Sequence, residues 1–357
     1  MCWGLLGLLA LAALVLGILY AVGAIKKSLV LQSWLVWWLG DSIRVLVFAP
    51  LILAIGLPKK FYSHSRVIIV AIVSVLAFSV AMGVFLLATS LEKKERIATS
   101  NSRYHQIISQ LQQQLQNYEN FTLFVRGFFE GSEQVTPSEF RRFVIPRLKQ
   151  NPEIQAIEWA PKVLASEREE WQQQQSLRQG RSVSILEKGG TNRDVLLVNA
   201  RLREQYFPLL YLEPWVNNQS ILGFDIQSNE DGQELLEQSA ESGLALLSAP
   251  IRLAQLEQHP VGSVLYAPIY QANVTNQDWQ TVQGFVCLVL RHDELLSLVH
   301  RQIIGQTYHV WVIDKATEQT LYGQQPDDKA LKKVKELGLY YQATLKIAQR
   351  EWLISLW

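Results

Sequence analysis

The sequence lacks the features that usually mark a nucleic-acid-binding protein or a disulfide-stabilised one. It contains only two cysteines, Cys2 and Cys287, and because Cys2 begins an apolar run we expect no disulfide between them. The net charge is +1, and no basic cluster is interleaved with aromatic residues. We therefore expect no nucleic-acid partner.

Catalytic and metal-binding patterns are also missing. The six histidines show neither the i, i+4 spacing of zinc proteases nor a Cys/His ligand spacing. His292-Asp293-Glu294 is interpreted as the start of a helix, where acidic residues are favourable. Ser248 has no His or Asp at the spacing of a nucleophile elbow, and no Gly-rich phosphate loop is present. These absences predict a chain with no catalytic site, no metal site and no cofactor.

What the sequence does contain begins with an apolar N-terminal quarter, residues 1–91. Three runs in it are each long enough to cross a bilayer as a helix, namely 1–25, 34–57 and 67–91. Asp41 and Arg44 lie on one face of the second run; an ion pair at the membrane edge is the favoured interpretation, and a polar site inside the membrane is the alternative. We predict three transmembrane helices, with the lipid bilayer as a partner. The distribution of Lys and Arg around them leaves the orientation open.

A long helix is predicted to follow over residues 92–130. Its apolar positions alternate in steps of four and three, which is a heptad seam. The seam comprises Tyr104, Ile108, Leu111, Leu115, Tyr118, Val125 and Phe129, with Thr122 filling the gap. Such a helix can be a dimer stalk, a spine on which a domain packs, or both.

The remaining residues, 131–357, are predicted to form an α+β domain. Helix candidates are 138–149, 167–178, 232–242, 293–304 and 328–337. Strand candidates are 154–163, 182–186, 206–212, 245–253, 262–270, 284–291, 308–314 and 341–357. Neighbouring strands late in the chain resemble hairpins, which favours an antiparallel sheet flanked by helices.

The second apolar run resembles a known membrane sensor. Trp37-Trp38-Leu-Gly-Asp41-Ser-Ile-Arg-Val-Leu-Val-Phe-Ala-Pro50-Leu-Ile-Leu is similar to the closing part of a MASE-type membrane-associated sensor domain. Arg44 stands where that family usually has Gly.

The soluble part, from about 105 to 357, resembles a CHASE domain, an extracytoplasmic ligand sensor. The matching segments are Pro137-Ser-Glu-Phe140, Pro152-Glu-Ile-Gln-Ala-Ile-Glu-Trp159-Ala-Pro161, Glu167-Arg168, Tyr206-Phe-Pro208, Gly223-Phe-Asp225, Ala240-Glu-Ser-Gly243, Ser248-Ala-Pro250-Ile-Arg-Leu253 and Gly262-Ser-Val-Leu-Tyr-Ala-Pro268-Ile-Tyr270. The resemblance implies two PAS-like α/β modules after the stalk helix, the membrane-distal one binding ligand. It also implies a multi-pass inner-membrane protein with residues 92–357 outside the cytoplasm, in the periplasm.

The resemblance also implies the ligand contacts. Positions that contact the ligand in cytokinin-binding relatives fall here at Gly232, Ser248, Ala254 and Tyr266. Since Gly232 has no carboxylate, the neighbouring Asp231 would supply it after a shift of one residue. Asp225 is nearby and is a further candidate, or alternatively holds a strand end. Tyr266 could stack on a ligand, and ordinary core packing is an equal alternative for it.

These observations predict a non-catalytic transmembrane sensor. It would bind a small extracytoplasmic ligand, pair as a homodimer through the stalk helix, and signal to a cytoplasmic output domain. In CHASE proteins that output is a diguanylate cyclase, a phosphodiesterase or a histidine kinase, and we expect this chain to be a truncated piece of such a receptor. A membrane-tethered binding or assembly protein without an output enzyme is the alternative, and an extracytoplasmic hydrolase ranks last.

Overall fold

The computed structural model describes residue 40 and residues 64–189, 196–228, 230–253, 260–271, 277–302 and 309–357. The predicted spans 1–25 and 34–57, and with them the MASE-like segment, lie outside the described residues apart from Gly40. The predicted α+β class is confirmed, because helices surround antiparallel sheets.

Six α-helices and fourteen strands occur in the described ranges. The helices are α1 His64–Glu130, α2 Pro137–Gln150, α3 Arg168–Gln179, α4 Glu230–Ser242, α5 His292–Gln302 and α6 Asp328–Glu336. The strands are β1 Ile154–Pro161, β2 Val163–Leu164, β3 Leu186–Gly189, β4 Leu196–Asn199, β5 Gln205–Tyr206, β6 Tyr211–Glu213, β7 Leu246–Leu247, β8 Ile251–Arg252, β9 Val261–Tyr270, β10 Val282–Arg291, β11 Val310–Asp314, β12 Thr320–Gly323, β13 Tyr341–Ile347 and β14 Arg350–Leu356.

Helix α1 joins the third predicted span and the predicted stalk into one element of 67 residues. From Ala71 onward it is long and apolar enough to cross a membrane, and it is the one such helix in the described part of the chain. Its apolar side chains are exposed, Leu76 by 65% and Phe85 by 62%. The chain divides into two compact units between Arg96 and Ile97, within this helix.

In the second unit the heptad seam of α1 packs against the chain's own sheets. Tyr104, Leu115, Tyr118 and Val125 are each at most 1% exposed within one hydrophobic core. Two roles were predicted for the seam, a dimer stalk and a spine on which a domain packs. The structure shows the second of these. These side chains are covered, so a second copy cannot pair with them as the stalk prediction supposed.

The first sheet has the strand order β6-β1-β10-β9-β7, and β8 also pairs with β9. All of these pairings are antiparallel. Because side chains alternate across a strand, Ile157, Leu265 and Leu288 lie on the side that joins the core of α1. The residues between them face a second hydrophobic cluster on the opposite side.

The second sheet has the order β12-β11-β14-β13. It also contacts α1, since the side-chain amide of Gln112 exchanges hydrogen bonds of 2.7 and 2.8 Å with the backbone of Lys346. Trp352 is fully buried and meets the ring of His292, at the end of the first sheet, edge-on at 5.2 Å. One helix thus supports both sheets.

Several strand predictions are corrected by the structure. The segment 341–357 is a hairpin, β13 and β14, rather than one strand. The strand predicted at 182–186 is found later in the chain, as β3 at Leu186–Gly189. The sequence patterns did not predict β4 or β12.

Candidate functional site

A cavity of about 390 Å³ lies on the face of the first sheet that points away from α1. Cavities of this size are typical of small-molecule sites. The lining is largely apolar and includes Leu197, Leu209, Ile221, Phe224, Ile226, Leu235, Leu253, Val264 and Val289. Polar and charged members are Glu158, Lys188, Ser248, Arg252, Tyr266 and Gln319. We call residues 186–189, 196–209 and 221–226 the cap, because they enclose the cavity opposite the sheet.

A row of three polar side chains lies on the sheet face beside the cavity, and two of them, Glu158 and Tyr266, line it. Glu158 in β1 pairs in register with Cys287 in β10, which pairs with Tyr266 in β9. Residues opposite each other in neighbouring strands project to the same face, so the three side chains lie side by side. They are 3%, 0% and 8% exposed respectively.

The carboxyl group of Glu158 dominates the electrostatics of this row. Its Oε1 atom is buried and has no hydrogen-bond partner among the described residues. Burial raises the pKa of Glu158 to about 8, because an apolar environment disfavours the charged form. Burial also raises the pKa of Tyr266 and of Cys287, and the nearby Glu158 adds to both shifts.

Ser248 also lines the cavity, directly after β7 and beside Val264 of β9. Its Oγ accepts a hydrogen bond of 3.0 Å from the backbone N–H of Val264 and donates one of 2.8 Å to the carbonyl of Ala249. The hydroxyl therefore already holds the strand junction in place, and Ser248 is only 8% exposed.

The region that builds this cavity matches a known family. The CHASE domain family matches residues 133–322, a little over half of the chain. The chain belongs to the CHASE family. The match begins just before α2 and ends in β12, so it includes the whole first sheet and its cap.

Solved structures of sensory proteins resemble this CHASE chain at low identity. An extracellular ligand-binding receptor from Desulfohalobium retbaense DSM5692 is 11% identical with a TM-score of 0.42, over 71% of this chain and 40% of that one. The ligand-binding domain of the Pseudomonas aeruginosa PAO1 amino-acid chemoreceptor PctC, in complex with GABA, is 9% identical with a TM-score of 0.38. The match covers 69% of this chain and 92% of that one. The ligand-binding domain of the Pseudomonas fluorescens chemoreceptor CtaA, in complex with L-serine, is 11% identical with a TM-score of 0.37. The match covers 73% of this chain and 97% of that one.

The structure of the CHASE domain brings together two of the residues predicted to contact ligand. Ser248 and Tyr266 both line the cavity, as does Gly232 at the start of α4. Ala254 and the side chain of Asp231 lie outside the part that the structure describes.

Asp225 is not among the lining residues of the CHASE cavity. It is fully buried, and its Oδ1 accepts hydrogen bonds from the backbone N–H groups of Phe207 at 2.9 Å and Gln227 at 3.3 Å. Arg203 lies between Asp225 and Glu187, with nitrogen–oxygen distances of 3.4 and 2.7 Å. Asp225 thus holds the cap together, which is the alternative role that its position at a strand end suggested.

Sequence reasoning missed Glu158, although the residue lies in the Glu158-Trp-Ala-Pro161 segment that carries the CHASE resemblance. A signal was present in the strand pattern. Ala156 and Ala160, two residues away on either side, share its face and are fully buried. A charged residue between two buried small ones in a strand points to a role other than packing.

Proposed function

We propose that this CHASE protein is a transmembrane signal-transduction sensor whose cavity between the first sheet and the cap binds a small molecule. The observation that supports this most is the cavity itself. It combines an apolar lining with a buried carboxyl oxygen, Oε1 of Glu158, that has no hydrogen-bond partner among the described residues, a combination typical of ligand sites. The proposed role involves no catalysis and no cofactor.

The proposed location is the bacterial inner membrane, with several spans and with residues 92–357 in the periplasm. The CHASE family match supports the extracytoplasmic side, and the exposed apolar side chains of α1 support membrane insertion. The apolar runs 1–25 and 34–57 support further spans.

The first sheet provides a route from the cavity to α1. Glu158 faces the cavity, whereas the next residue, Trp159, stacks on Phe129 of α1 with ring centroids 4.5 Å apart. Just before β1, the carboxylate of Glu153 is hydrogen-bonded to the hydroxyl of Tyr118 in α1. A ligand that shifts β1 would therefore shift α1, and with it the equilibrium of the receptor.

The signal would pass to a cytoplasmic output domain, a diguanylate cyclase, phosphodiesterase or histidine kinase. We propose that both sheet modules are PAS-like and that the receptor is a homodimer through the stalk helix. Since the heptad seam is covered, the dimer contact would use other stalk residues such as Phe124, which is 69% exposed.

The topology can be tested with single cysteines. In a chain with Cys2 replaced by serine and Cys287 left buried, we introduce Leu202→Cys in the cap, where Leu202 is 90% exposed. A membrane-impermeant maleimide should label it in intact spheroplasts. Lys60→Cys, between the second and third predicted spans, is the matched control and should be labelled only after permeabilisation. The reverse pattern would refute a periplasmic sensor.

Ligand occupancy of the cavity can be tested by filling it. Val264 is 6% exposed and lines the cavity, so Val264→Phe should occupy part of the free volume. The full chain in detergent is screened against a metabolite library by thermal shift. We expect compounds that raise the melting temperature of the natural chain and not of Val264→Phe. Val216→Phe adds the same group at a site that is 68% exposed and should leave the response intact. Stabilisation that persists in Val264→Phe would place the ligand elsewhere.

A further inference from the structure

The carboxyl group of Glu158 has a position that packing does not explain. Its neighbours on the same strand face, Ala156 and Ala160, are small and apolar, and most residues around the cavity are also apolar. Removing a carboxyl group from water costs several kcal/mol unless it is paired or protonated. Such a cost is commonly retained where a polar group serves function.

No cation of the described chain neutralises this group. Lys188 and Arg252 also line the cavity, yet burial alone accounts for the raised pKa of Glu158, with no opposing contribution from either cation. Its Oε1 is left without a hydrogen bond among the described residues. A buried acceptor without a partner is satisfied when a ligand supplies the donor.

We propose that the cavity binds a small organic amine whose amino group donates hydrogen bonds to the carboxyl group of Glu158 and whose apolar part contacts the cap. This inference rests on the ligand-binding role proposed above. The apolar side chains Leu209, Phe224 and Ile226 would surround the hydrocarbon part. Arg252, an exposed residue of the lining, would favour amines that also carry a carboxylate, such as amino acids.

The test uses three classes of matched probe with the full chain in detergent. The first contains leucine, phenylalanine and further apolar amino acids. The second contains their decarboxylated amines, isoamylamine and phenethylamine among them. The third contains the deaminated acids, such as 4-methylpentanoate and 3-phenylpropanoate. Affinity is measured by calorimetry on the natural chain and on Glu158→Gln, which keeps the size of the side chain and removes its ability to ionise.

We expect at least one amine or amino acid to bind, and its deaminated counterpart to bind at least about tenfold more weakly, as expected for a lost hydrogen bond to a charged group. Glu158→Gln should weaken the binding of the amine by a similar factor and leave the affinity for the deaminated acid unchanged. The melting temperature of unliganded Glu158→Gln shows whether the variant is folded. Arg252→Gln should affect only probes with a carboxylate.

Two results would overturn this inference. One is that no amine or amino acid binds. The other is that amines bind equally well to Glu158→Gln. If other compounds still bind and Val264→Phe blocks them, the ligand-sensing role stands and only the amine assignment fails. If no compound of any class binds, the proposed function fails with it.

Discussion

Replacing Arg203 with methionine should destabilise the folded domain by about 3–5 kcal/mol, the usual cost of removing one partner from a buried ion pair. Arg203 is the cation between Asp225, which is fully buried, and Glu187, which is 6% exposed. Burial already raises the pKa of Asp225 despite the guanidinium. For Glu187, hydrogen bonds and charges from Arg203 and Arg201 outweigh the opposing effect of burial, so its pKa is lowered. Without Arg203, both carboxyl groups lose their main stabilising charge.

Arg201→Met is the matched control, because Arg201 pairs with the same Glu187 at 3.0 Å but its side chain is 78% exposed. An exposed pair contributes at most about 1 kcal/mol, so this variant should be nearly as stable as the natural chain. Urea unfolding of the full chain, followed by tryptophan fluorescence, measures both values. Equal losses from the two substitutions would contradict the buried network.

Glu158→Gln should increase stability at alkaline pH by a few kcal/mol, since each unit of pKa shift is worth about 1.4 kcal/mol. The folded protein keeps the Glu158 carboxyl protonated up to a pKa of about 8, whereas the ordinary value is 4.5. Between these values the folded state binds a proton that the unfolded state has released. Stability therefore falls as pH rises through this window, and the loss is complete above it. Glutamine stays neutral and removes this loss.

The measurement is the free energy of unfolding of both chains at pH 5, 7 and 9, in the absence of ligand. The two curves should diverge with rising pH, with the variant the more stable at pH 9. The titratable groups in the same row as Glu158 are Cys287 and Tyr266, and burial raises the pKa of each above its ordinary value. Glu241→Gln, on the exposed surface of α4, should leave the pH profile unchanged. Parallel curves for Glu158→Gln and the natural chain would show that Glu158 is not buried as described.

Elements with a strong periodic or continuous apolar pattern were predictable from the sequence. The long helix and its seam followed from the 3.5-residue period, and β9 and β10 followed from apolar runs bounded by Gly and charged residues. Weakly patterned elements were not. The turn between β13 and β14 is formed by Ala348 and Gln349 in left-handed backbone conformations, with φ of 43° and 68°, without the Gly or Asn that normally signals such a turn.

The seam of α1 is a second case in which the sequence pattern left the structure open. Periodicity shows that one face of a helix is apolar, but a second helix and a sheet are equally good ways of covering it. Only the packing of Leu115 and Val125 into the core shared with the sheets shows that the chain covers this face itself.

For this protein, the sequence by itself determined the α+β class, the CHASE family and two residues that line the cavity, Ser248 and Tyr266, because these depend on order, spacing and periodicity along the chain. Only the tertiary structure decided which side chains meet in the cavity. Glu158 lies 90 residues and more from Ser248 and Tyr266, and its role depends on strand register, which places it beside Cys287 and Tyr266. In the same fold the side chain of Asp225 is buried within the cap, where Arg203 and two backbone N–H groups bind it. Burial and partners are properties of the packed chain, and they separate a cavity-facing carboxyl group from a structural one.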